Sequence, residues 1–120
     1  MPDTPAPPSS PRLPSLKTLA ARAGLVLLTP EDLTLTRRRA GRGFSYRDAD
    51  GRPIRDPDVL RRLASLAVPP AYGEVRYAAD PCGHLQAIGR DAAGRLQYRY
   101  HPGWEKVREW RKARRLAAFA

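Results

Sequence analysis

The chain has one cysteine, two histidines and few acidic residues. The single thiol, Cys82, excludes an internal disulfide and a cysteine-based zinc site. His84 and His101 stand alone, so no metal-centred chemistry is expected: no metal ligands, no cofactor and no catalytic residues are assigned. No segment approaches the roughly 18 consecutive apolar residues of a transmembrane helix. The start, Met1-Pro2-Asp3, leads into a polar, proline-rich stretch without the apolar core of a secretory signal, and the cytosol is the simplest compartment. Asp+Glu number 12 against 22 Lys+Arg, a formal net charge of +10 on 120 residues. Nineteen of the cations are arginine, whose planar forks suit phosphates and base edges, although a genome rich in arginine codons gives the same bias. A polyanion is the first partner to consider.

Prolines 2, 5, 7, 8, 11 and 14 mark residues 1–15 as a disordered or polyproline-like leader. About 105 residues remain, enough for one domain. Asp3 and Arg12 cancel, so the whole positive excess lies in that remainder. A short helix follows, capped by Ser15 and stopped at Gly24. Residues 25–28 read as a buried strand. Leu33 and Leu35 alternate with Thr34 and Thr36 in a half-buried strand running into three arginines, and Gly41 and Gly43 mark a tight turn. Strands at 44–47 and 52–54 flank Asp48-Ala49-Asp50-Gly51, a hairpin signal. Asp56 and Pro57 open a helix striped by Val59, Leu60, Leu63 and Leu66, and Pro69-Pro70 ends it. A strand at 74–78 precedes a hairpin of 85–90 and 96–100 around Asp91-Ala92-Ala93-Gly94. Residues 102–119 form a last helix with Trp104, Val107, Trp110, Ala113 and Ala117 as its expected buried face. The order predicts an α+β domain, a small twisted antiparallel β-sheet with short helices.

Two clusters carry candidate chemistry. Arg37, Arg38, Arg39 and Arg42 sit beside two glycines that let backbone approach a ligand, which suits a nucleic-acid backbone and equally a solvated basic loop. Gln97-Tyr98-Arg99-Tyr100, with Arg90 and Arg95 across the turn, combines base-reading amide and guanidinium groups with aromatic rings. On a straight strand the tyrosines share one face and Gln97 and Arg99 the other, and tyrosines so placed also fill cores. The last helix holds six cations against Glu105 and Glu109, either tracking phosphates or forming a wet face. Cys82-Gly83-His84 is no nucleophile–base pair by adjacency alone. Asp48 with Asp50, and Asp56 with Asp58, are assigned turn and cap duty.

The ordered blocks resemble a known family. RRRAGRGFSYRDADGRPIRD at 37–56, LRRLASLAVPP at 60–70 and GHLQAIGRDAAGRLQYRYHPGW at 83–104 look like successive segments of the N-terminal domain of bacterial and poxvirus-type DNA topoisomerases IB. The resemblance implies a domain spanning 16–103 that lies on one side of duplex DNA. A larger helical domain closes from the other side, and residues 104–120 resemble the start of a linker helix towards it. It implies DNA contact in and beside the major groove by Gln97, Tyr98 and Tyr100. Arg37, Arg38, Arg39, Arg42 and Arg95 are expected at phosphates on charge and position. The family relaxes supercoiled DNA without ATP through a 3′-phosphotyrosine, using groups of the second domain. The expectation is a nucleoid-associated DNA-binding half, inactive alone because its catalytic domain is missing or separately encoded. A stand-alone RNA-binding module and a partner subunit of a separate catalytic domain are the alternatives.

Overall fold

The computed structural model describes residues 15–119. The proline-rich leader lies outside them except for Ser15. A five-stranded antiparallel sheet has the order β2-β1-β3-β4-β5, with β1 Leu33–Ala40, β2 Gly43–Arg47, β3 Gly73–Ala78, β4 Leu85–Arg90 and β5 Leu96–Tyr100. Among the described residues three α-helices accompany it: α1 Leu16–Arg22, α2 Pro57–Ser65 and α3 Trp104–Phe119. The fold is α+β, as the sequence pattern predicts.

Local chemistry sets the boundaries. Ser15 Oγ accepts the Thr18 N–H at 3.1 Å, opening α1, and Gly24 takes a φ of +76° just beyond its end. Asp56 caps α2 through the Asp58 N–H at 2.9 Å, with Pro57 in the first turn. The β1–β2 hairpin turns on Gly41 and Arg42, Gly41 supplying a φ of +60°. Asp48 and Asp91 close their turns alike, each Oδ1 accepting two backbone N–H groups.

Two expected strands are corrections. Residues 25–28 make a single parallel bridge, Val26 to Gly83, and Val26 and Leu27 face solvent. A 3₁₀ turn at Pro30–Asp32 follows at once, so the ladder has no room to extend. Residues 52–54 make one bridge, Arg47 to Pro53, because the Arg52 N–H is taken by Asp48 Oδ1 on one side and the chain turns into the α2 cap at Asp56 on the other. The last helix begins at Trp104, and its expected buried face is shorter than its sequence pattern. Trp104 and Val107 are buried, whereas Ala113 and Ala117 are exposed. Seven-residue α1, about 10 Å long, covers only the first turns of α3.

Strand register assigns the two faces of the sheet. Leu35, Tyr77, Ala87 and Arg99 form one cross-strand row. Leu35, Val75, Tyr77 and Ala87 make that face's core with Leu63 and Val68, flanked by Val59 of α2 and Leu66 just beyond its end. Arg47, Thr36, Arg76, Ile88 and Tyr98 form a row across all five strands on the opposite face. There Leu33, Ala78, Leu85 and Ile88 cluster with Leu28 and Leu96. Leu19, Ala20, Leu25, Trp104 and Val107 join α1 to α3 in a third cluster. Gln86, 2% exposed, is fully partnered: its Oε1 accepts from Arg62 at 2.7 Å, and its Nε2 donates to the carbonyls of Asp80 and Gly83. That pairing pins α2 to the loop before β4.

Candidate nucleic-acid interface

β5 is an outer strand, hydrogen-bonded to β4 on one side only. An outer strand leaves backbone N–H and C=O groups unpaired along its free edge, while its side chains still alternate between the two faces of the sheet. The register places Gln97 with Arg99 on the α2 side of β5, and Tyr98 and Tyr100 together on the opposite side. It places Leu96, Tyr98 and Tyr100 opposite Arg90, Ile88 and Leu85, and Gln97 and Arg99 opposite Gly89 and Ala87.

The tyrosines do not fill the core: Tyr98 is 44% exposed and Tyr100 43%. Their rings stack at 6.3 Å between centroids and 17° between planes, and Tyr100 stacks on Trp104 at 6.2 Å and 23°. His84 packs against this row, its ring centre 4.7 Å from that of Trp104 in an edge-to-face arrangement and 5.9 Å from that of Tyr100 at a 39° tilt. His84 Nδ1 accepts the Leu28 N–H at 2.9 Å, which leaves a proton only for Nε2 in the neutral ring. Burial lowers its pKa, against an opposing hydrogen bond with the Val26 backbone. The same bond removes His84 as a base for Cys82, which is exposed and free.

This arrangement has a pH signature. A folded-state pKa below the ordinary 6.5 means that the unfolded chain binds the proton more readily. The contribution of neutral His84 is complete above about pH 6.5 and erodes as the pH falls towards the folded value. Urea unfolding should therefore show lower stability at pH 5.5 than at 7.5. His84→Gln, which keeps an acceptor for Leu28, should flatten the difference. An unchanged slope in the variant would assign the pH dependence elsewhere.

The arginine run divides by strand parity. Arg37 lies on the α2 side, donating to the carbonyls of Val68 (2.9 Å), Pro69 (2.6 Å) and Tyr72 (3.2 Å), with its guanidinium 4.1 Å from the centre of the Phe44 ring. Arg39 follows it, donating to Pro70 at 3.3 Å. Both therefore fasten the turn after α2 rather than face the aromatic row. Arg38 is exposed on the opposite face, the side of Tyr98, opposite Ser45. Arg42 sits in the β1–β2 turn, and Arg95 in the β4–β5 turn, 3.2 Å from Asp91.

Sequence reasoning missed Arg76. It lines a groove of about 540 Å³ with Thr36, Arg38, Ile88, Arg90 and Leu96. Glu74 is the groove's acidic side chain, held by Arg90 at 2.9 Å. Arg76 stands alone in its strand, and only cross-strand register sets it between Thr36 and Ile88. The groove and the tyrosines occupy one face and adjoin at Leu96 and Ile88, giving a basic floor beside an aromatic edge. On α3, Lys106, Arg108, Arg111, Lys112, Arg114 and Arg115 are exposed. Among the described residues no three His, Cys, Asp or Glu side chains gather as metal ligands would. No described helix is long and apolar enough to cross a membrane. Tyr77 is enclosed, and burial pushes its phenol up to about 12, the opposite of an activated nucleophile.

Residues 43–91 match the family model of the bacterial DNA topoisomerase IB N-terminal domain. A relative, the DNA topoisomerase 1B of Acanthamoeba polyphaga mimivirus, is 36% identical over 83 residues. The match covers 69% of this chain and 25% of the relative, so the chain spans about a quarter of the viral protein's length.

Proposed function

Since the chain belongs to the family of bacterial DNA topoisomerase IB N-terminal domains, we propose that it binds duplex DNA as one wall of a clamp. The supporting observation is the union on one face of an exposed aromatic strand edge with an arginine-lined groove. β5 and the turn before it form the exposed edge offered to the major groove, with β4 buried between β5 and β3. In this reading Gln97, Tyr98 and Tyr100 meet the groove and the adjacent backbone. Arg38, Arg42, Arg76, Arg90 and Arg95 meet phosphates. Arg37 and Arg39 act one step back, by holding the turn after α2.

The other wall is a helical catalytic domain reached through α3, whose Leu116 is 64% exposed. The place of action is DNA in the cytoplasm. Residues 1–120 bind without relaxing DNA, because transesterification needs a tyrosine with cations converging on the scissile phosphate.

Fluorescence titration of a short duplex across a salt series tests the reading, with plasmid relaxation run in parallel. Five phosphate contacts give a slope of log K against log salt of about −4.5. Binding that is absent at low salt or insensitive to salt, or a plasmid relaxed by this chain alone, would overturn it.

A further inference from the structure

The prolines of residues 1–14 keep a register. Pro2, Pro5, Pro8, Pro11 and Pro14 recur at every third position, and Pro7 alone falls outside the series. A polyproline II helix has three residues per turn and rises about 3.1 Å per residue. In that conformation the five prolines form one ridge, with about 9 Å between neighbours.

The junction of α1 and α3 has an open apolar flank. Leu19, Trp110, Ala113 and Ala117 line a groove of about 460 Å³, rimmed by Arg22 and Arg114. Trp110 is half-buried, and Ala113 and Ala117 are exposed. Among the described residues the two guanidinium groups meet no carboxylate. Leu25, just past α1, lies against Gly103, ahead of α3. At the other end of α1, Leu16 lines a cleft with Arg111, Lys112 and Arg115. The two helices therefore run antiparallel, and the chain preceding Ser15 departs beside the half of α3 that α1 leaves uncovered. Pro11 lies four residues before Ser15, at most about 13 Å away. Leu19 lies four residues after it, about 6 Å along α1. The groove is within reach of the leader.

We propose that residues 2–14 dock intramolecularly on this flank as a polyproline II helix, their ridge prolines against Trp110, Ala113 and Ala117. Trp110 and Ala117 are seven residues apart, about 10 Å along α3, so two successive ridge prolines span the groove. A polyproline II helix makes no internal hydrogen bonds, so its carbonyls need donors, and Arg22 and Arg114 supply them at the rim. Aromatic-lined grooves recognise proline segments in this way, at small entropic cost because the ligand is already extended. The short tether raises the leader's effective concentration to about the millimolar range, so a weak contact suffices. Leu116 does not line the groove and stays outward, which leaves that side of α3 to a neighbouring domain.

The test is NMR of the isotope-labelled full chain as wild type, as the triple variant Pro5→Ser, Pro8→Ser and Pro11→Ser, and as Pro7→Ser. All three keep the Ser15 cap. The wild-type Trp110 indole N–H should be shifted from its position in the triple variant. The wild-type amides of residues 113–117 should exchange with solvent about tenfold more slowly than those of the triple variant. Pro7→Ser removes the proline off the ridge and should match the wild type. Ala117→Glu places a charge on the exposed groove wall. It should move the Ala6 and Ser10 amides to their positions in a free peptide of residues 1–14.

Equal indole shifts and exchange rates in the wild type and the triple variant would overturn the docking. So would Ala6 and Ser10 amides that ignore Ala117→Glu. A Pro7→Ser effect as large as the triple variant's would overturn the ridge register. Differences that grow with protein concentration would assign the flank to a second copy of the chain and overturn intramolecular docking.

Discussion

Replacing Tyr98 and Tyr100 together by alanine should weaken duplex binding about 30- to 100-fold without changing its salt dependence. Exposed aromatic side chains at interfaces commonly each contribute about 1–2 kcal/mol, and each tenfold step in affinity is about 1.4 kcal/mol. Neither change removes a cation, so the number of counterions released should stay the same. The two rings stack on each other and on Trp104, so their effects should not add independently. Tyr98→Phe and Tyr100→Phe keep the stack and remove only the hydroxyls. The loss they retain measures hydrogen bonding, and the loss they restore measures ring contact. Fluorescence titration at two salt concentrations suffices. A double variant that binds like the wild type would remove the aromatic edge from the interface.

The second large effect concerns stability. Arg37→Ala should destabilise the domain by about 2–4 kcal/mol, because three backbone carbonyls lose a charged donor and Phe44 loses its cation. Lysine should restore little of this, since a point charge cannot span three carbonyls as a planar fork does. Arg38→Ala, one residue on, should change stability by about 0.5 kcal/mol or less. It should instead lower the salt slope of DNA binding by about 1. Urea unfolding and salt titration of both variants separate the roles. The prediction fails if Arg37→Ala is as stable as wild type, or if Arg38→Ala leaves the salt slope intact.

That contrast shows how far residue pattern alone reaches. The three arginines read as one basic run, and strand alternation divides them. The division depends on knowing that β1 continues to Ala40 and which face α2 covers, and both are set by tertiary packing. Signals within a few residues were legible: the Ser15 and Asp56 caps, the Pro57 start, and the Asp-led turns at 48–51 and 91–94 all form as their chemistry predicts. Longer-range features were not. Residues 25–28 have the composition of a strand and find one bridge partner, Gly83, while at the β2 edge the Asp48 side chain takes the Arg52 N–H and ends the ladder there. The face of α3 was read from periodicity, but α1 is too short to cover Ala113 and Ala117. Alternation alone pairs Tyr98 and Tyr100 on one face, whereas their exposure follows from the place of β5 at the outside of the sheet. The bond from Gln97 to Asp91 spans the hairpin turn, and no local motif marks it.

The central claim is the location of the DNA-binding face, and amide chemical-shift mapping during titration with a short duplex tests it most directly. Perturbations should concentrate on Leu96–Tyr100, on Arg38, Arg76 and Arg90, and on the two flanking turns, with α2 and residues 68–72 unaffected. A map centred on α2 or on the turn that Arg37 holds, with β5 silent, would contradict it.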